Sequence, residues 1–171
     1  LKRLHDLPQL TVALVKGAAM GGGAGLMAAC DVAVTTRDAK IRFSEVRLGL
    51  TPATISPFVV KAIGPRRAKA LFATGESFDG DYAHQMGLAQ YVVETEDELD
   101  DMMEHLAKLA FHAAPGAVAD AIDLVDEVAY KPIDDHLLRH TAKAIADRRA
   151  SDEGREGLSA FLEKRKPWWA E

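Results

Sequence analysis

The sequence predicts an α/β layer over residues 1–94 and a tail built only of helices over residues 95–171. Three observations carry that prediction. Short β-branched runs, Val12 to Val15, Val32 to Thr36 and Tyr91 to Val93, are confined to the first part and alternate with helical patterns, the signature of a layer with parallel pairing. Three consecutive glycines, Gly21, Gly22 and Gly23, separate the first of these runs from a small-residue helix, Ala24 to Ala29. After Glu94 the spacing of apolar residues is helical throughout.

In chain order, residues 1–10 read as the end of a helix and a loop. Thr11 to Val15 is an apolar strand. Pro57 to Ile63 and Pro65 to Thr74 each open on a proline, which suits the first helical position. Asp79 caps a helix running through Met86, with Gly87 just past its end. Glu96 to His112 carries Leu99, Met102, Met103, Leu106 and Leu109 at helical spacing, and its acids crowd the first turns. Pro115 to Val128 and Pro132 to Arg149 are the next two helices. Ser151 caps a fourth, with Leu158, Phe161 and Leu162 on one face and Pro167 as a stop.

Bulk properties narrow the function classes. The chain has 171 residues, 48% of them hydrophobic and 27% charged, with a formal net charge of −5, which argues against nucleic acid as a partner. Its single cysteine, Cys30, leaves no intrachain disulfide and reads as a core thiol inside the Ala-rich helix. The apolar runs are too short to span a bilayer, and a cytoplasmic location is expected.

The chemistry-bearing stretch is Lys16-Gly17-Ala18-Ala19-Met20-Gly21-Gly22-Gly23-Ala24-Gly25, closing on Cys30-Asp31. Glycines in a row admit close approach of other atoms and leave N–H groups free at a helix start. Such an N–H is half of an oxyanion hole when aimed at a thioester carbonyl. Twenty residues on stands Phe43-Ser44-Glu45-Val46-Arg47-Leu48-Gly49-Leu50-Thr51-Pro52. Glu45 sits among apolar and small residues, although a lone glutamate here could instead face solvent and pair with Arg47.

Together the two segments resemble the enoyl-CoA hydratase/isomerase (crotonase) superfamily, whose pattern is a triple-glycine loop, a helix ending in Cys-Asp, then Pro-Glu-Val-x-Leu-Gly-Leu-x-Pro. The likeness continues through Ala83 to Ala89 and Glu156 to Arg165. The resemblance implies a crotonase-like ββα superhelix, here its C-terminal part, with a helical tail that packs against neighbouring subunits of a homotrimer or dimer of trimers. It implies an acyl-CoA substrate, no metal and no further cofactor. Gly22 then supplies the oxyanion-hole N–H, with Gly21, Gly23 and Gly25 as substrate-binding positions around it, and Glu45 is the acid/base catalyst. Phe161 and Lys164 match positions that hold the adenine and phosphates of CoA, although Lys164-Arg165-Lys166 could equally complement a helix dipole. The family's front portion, with several strands and the other oxyanion donor, has no counterpart in this sequence.

Two departures stand out. Ser44 replaces the usual proline. Gly25 stands where typical hydratases of the family carry a second glutamate, and the run through Ser56-Pro57 looks closest to the bacterial methylglutaconyl-CoA hydratase-like group. Water addition to a 2-enoyl-CoA is the first expectation. Double-bond migration and a non-catalytic acyl-CoA binder are the alternatives. Two weaker motifs compete. His136 and His140 are four apart on a helix but lack a third metal ligand. Gly23-Ala24-Gly25-Leu26-Met27-Ala28 fits a dinucleotide fingerprint, but the strand at Val15 ends well before Gly23.

Overall fold

A computed structural model describes residues 1–170. The chain divides into two compact units, one of residues 1–7 with 11–105, the other of residues 8–10 with 106–171. The first unit begins with a short helix, α1 (Lys2–His5), followed by β1 (Val12–Val15), β2 (Ala18–Met20) and α2 (Gly22–Ala29). Then come β3 (Val32–Thr36), β4 (Lys40–Arg42), a 3-10 turn over Glu45–Leu48, α3 (Ser56–Thr74), β5 (Ser77–Phe78), α4 (Gly80–Gln85) and β6 (Tyr91–Val93). α5 (Glu96–Phe111) runs from the first unit into the second.

The strands form two small sheets. One has the order β1-β3-β6, all parallel, with Val12 opposite Val32 and Thr36 opposite Val93. Its middle strand is apolar or β-branched at every position, as a strand covered on both faces must be. The other has the order β2-β4-β5, with β2 and β4 parallel and β4 and β5 antiparallel. The three strands of this second sheet lie outside the sequence expectation. They have only two or three residues each, too few for a period-2 pattern to emerge.

The core of this unit is centred on Ile41, Phe43 and Val59, all essentially inaccessible. Phe43 meets Phe72 edge-on at 5.3 Å between ring centroids and Phe78 at 5.8 Å. These rings fix the end of β4, two residues before Glu45. α3 consists of the expected pair of helices, before and after Gly64, whose φ of 78° and ψ of 160° are not helical and interrupt the run just before Pro65. α4 follows expectation, with the Asp79 side chain accepting from Tyr82 N–H at 2.9 Å and Gly87 in the left-handed region.

Cys30 is not inside the helix, as expected, but ends it, with extended backbone at φ −82° and ψ 155°. Burial pushes its thiol pKa up. Its neighbour Asp31 has a tying role: Oδ2 accepts from Thr11 N–H at 2.8 Å and from Thr11 Oγ at 2.7 Å. The Asp31 N–H donates back to Thr11 Oγ at 2.9 Å. The end of α2 is thereby fastened to the start of β1.

The second unit holds α6 (Pro115–Val128), α7 (Asp135–Ala150), α8 (Asp152–Glu163) and a 3-10 turn at Trp168–Ala170. α6 has no acid in its own first turn. Glu153 of α8 fills that role, accepting from the N–H groups of Gly116 and Ala117 at 3.0 and 3.1 Å. Trp169 lies over Gly157, where an added Cβ would come within 3.3 Å of its ring. Among the described residues no helix is long and apolar enough to cross a membrane.

Asp31→Ala leaves the N–H and hydroxyl of the buried Thr11 without their acceptor. It should lower stability by about 2 kcal/mol, read as a reduced urea midpoint with an unchanged slope.

Candidate active site

The glycine turn and Glu45 are brought together by one ladder. β2 runs directly into Gly21, and Gly21 N–H donates to the Arg42 carbonyl at 2.9 Å, continuing the β2–β4 pairing by one residue. Glu45 follows Arg42 by three residues and opens the 3-10 turn. Its own carbonyl accepts from Leu50 N–H at 3.0 Å. Gly49 closes the turn in the left-handed region at φ 72°, a conformation that favours glycine. The backbone of the catalytic candidate is thus held on both sides.

Gly21 is the glycine the geometry requires. Its φ is 49°, and a Cβ built on it would lie 3.4 Å from Glu45 Oε1 and 3.5 Å from Ser44 Oγ. The Glu45 carboxylate therefore lies directly against the backbone of the turn. Gly22 and Gly23 are exposed, and a Cβ on either would meet nothing within 4 Å. They form the first two residues of α2, where the helix supplies no carbonyl for the N–H groups.

The electrostatic setting of Glu45 is unusual. Its Oε2 is buried and has no hydrogen-bond partner. The expected alternative, a solvent-facing pair with Arg47, is not what the structure shows: Arg47 instead lies against Gly75, where an added Cβ would come within 3.1 Å of its Nε. A buried carboxylate oxygen without a partner is costly in a structure built for stability alone.

Gly25 lies one turn into α2, fully buried. A Cβ there would fall 2.1 Å from Ile55 Cγ2 and 2.8 Å from Ile55 Cβ. The space that a side chain at this position would take is therefore filled by a neighbour. Gly23 lies inside α2 rather than at a strand end, so the dinucleotide fingerprint is not in the place that fold requires. The strand that precedes the glycines is β2, ending at Met20, and not the Val15 strand.

Phe161 and Lys164 belong to the second unit, one turn apart at the end of α8. Phe161 is 80% exposed. Lys164 caps the helix in the left-handed region at φ 54°, an uncommon conformation for a residue with a side chain. Arg165 is engaged by Glu156 and Glu163 at 2.6 and 2.7 Å, whereas Lys164 has no ion pair among the described residues. His140 Nε2 pairs with Glu127 at 2.6 Å, and no group of three metal-binding side chains occurs among the described residues.

The profile of the enoyl-CoA hydratase/isomerase family matches residues 1–171. A Thermus thermophilus protein named as an enoyl-CoA hydratase is 33% identical over 165 residues, covering 96% of this chain and 64% of its own. Ethylmalonyl-CoA decarboxylase of Danio rerio is 38% identical over 128 residues, covering 73% of this chain and 42% of its own. A Legionella pneumophila crystal structure described as an enoyl-CoA hydratase/isomerase (crotonase) superposes with a TM-score of 0.93 at 48% identity, covering 98% of this chain and 64% of that one. The chain thus spans just under two thirds of the length of the first and third of these proteins.

Gly21→Ala forces a Cβ into a left-handed position against the Glu45 carboxylate. It should cost about 1–2 kcal/mol, whereas Gly22→Ala, with open space, should leave the denaturation midpoint almost unchanged. Equal losses for both would contradict this geometry.

Proposed function

We propose, for a chain that belongs to the enoyl-CoA hydratase/isomerase family, that this protein adds water to a 2-enoyl-CoA by way of a thioester enolate. The observation that carries the reading is the buried, unpartnered Glu45 Oε2 set against the glycine turn. The thioester oxygen accepts from the Gly22 N–H, which gathers the negative charge that develops there. Glu45 takes a proton from water as the water oxygen bonds to the β-carbon and the double-bond electrons move to the thioester oxygen. The enolate then collapses, taking that proton at the α-carbon. CoA belongs to the substrate, and no other cofactor enters.

A second reading, double-bond migration, is favoured by Gly25, because that reaction asks for only one proton-carrying group. The similarity to ethylmalonyl-CoA decarboxylase fits the same frame, since loss of carbon dioxide also leaves an enolate on the thioester. Phe161 and Lys164 are proposed to receive the adenine and phosphates of CoA, Lys164 acting as a point charge.

The helical unit exposes Phe111, Tyr130, Ile133, Phe161 and Leu162. An apolar surface of this kind supports assembly into a homotrimer or dimer of trimers. A cytoplasmic enzyme with one free thiol agrees with this chemistry.

Glu45→Gln in the full-length protein should reduce water addition to crotonyl-CoA by about 10²–10⁴-fold while acyl-CoA binding persists. Turnover unchanged by that substitution would remove Glu45 from the reaction. Lys164→Gly relieves the left-handed backbone. It should raise or hold stability, by up to about 1 kcal/mol, and weaken CoA affinity. Calorimetry reads both effects on one sample.

A further inference from the structure

We infer that Gly25 and Ile55 are a matched pair that confines the site to one carboxylate, with Ile55 as the residue that decides it. The inference rests on the reading of Glu45 given above. α2 begins at Gly22, and Gly25 follows by one turn on the same side of the helix. Side chains on a helix lean toward its N-terminus. A side chain at residue 25 would therefore reach back toward the end of α2 where Gly21 meets Glu45.

Ile55 occupies that space. Its Cγ2 would be 2.1 Å and its Cβ 2.8 Å from a Cβ on residue 25, far inside contact distance. The obstruction is fixed. Ile55 is 3% exposed, its side chain is β-branched and stiff about χ1, and its carbonyl accepts from Phe58 and Val59 N–H at 3.1 Å each as α3 begins. It cannot turn aside as the end of a lysine or methionine would. Glycine in the body of a helix is unfavourable on propensity grounds, and the contact with Ile55 explains why it stands there. Enlarging residue 25 requires shrinking residue 55, and the two substitutions together open a place for a second acid.

Four full-length proteins test this: the parent, Gly25→Glu, Ile55→Gly and the double variant. Thermal unfolding reads the steric half. Gly25→Glu should melt well below the parent, and the double variant should recover most of that loss. The chemical half is read by water addition to crotonyl-CoA against exchange of the α-proton of an acyl-CoA with deuterium oxide. Relative to Ile55→Gly, the double variant should add water about 10²-fold faster, while α-proton exchange stays within the same order.

If Ile55→Gly prevents folding, Gly25→Ala still reads the steric half, because its Cβ alone meets Ile55 Cγ2 at 2.1 Å, and it should melt well below the parent. Gly25→Glu melting with the parent, or a double variant no faster at water addition than its Ile55 parent, overturns the inference. The underlying reading fails separately, by Glu45→Gln retaining α-proton exchange.

Discussion

The hydrogen bond from Gly21 N–H to the Arg42 carbonyl is the constraint on which the site depends. It is the last rung of the β2–β4 ladder and the first contact of the glycine turn. Below it, Ile41 and Phe43 lock β4 into the core. Beyond it, the chain turns at once into α2 on one side and into the Glu45 turn on the other. A rung of backbone places a helix start and a carboxylate side by side without any side chain between them. That arrangement suits a reaction in which charge appears on a thioester oxygen while a proton moves close by.

Stability and chemistry make different demands on this corner. Gly21 takes a positive φ that glycine adopts without strain, with the Glu45 carboxylate in contact with it, and Glu45 keeps a buried oxygen with no partner. The unpartnered oxygen is unfavourable for folding alone. The surrounding unit offsets it with the Phe43–Phe72–Phe78 cluster and with Asp31, which clasps β1 to the end of α2. The strain is local and the support is distributed, as expected where a site is preorganised.

The sequence made most of this legible, for identifiable reasons. The strands Val32–Thr36 and Tyr91–Val93, the helix Pro115–Val128 and the Asp79 and Ser151 caps announce themselves through β-branched runs, prolines and capping residues. The second sheet did not, because strands of two or three residues carry no periodicity and depend on pairing with distant partners. The Glu153 cap on α6 was hidden for the same reason: the acid lies 37 residues from the N–H group it serves.

At the site, spacing and motif brought out Glu45 and the glycines, but not which glycine the carboxylate touches, nor that Ile55 lies over Gly25. Those facts are set by packing between α2, α3 and the Glu45 turn. A glycine in the middle of a buried helix was the one available signal. It marks a close approach without naming what approaches.

The most direct test of the account is a crystal structure of the full-length protein with a 3-oxoacyl-CoA, whose enolised form imitates the charge of the reacting thioester. The account predicts the thioester oxygen about 3 Å from the Gly22 nitrogen and the Glu45 carboxylate about 3–3.5 Å from the α-carbon. A thioester bound with its oxygen away from the glycine turn, or with Glu45 turned from the α-carbon, would contradict it.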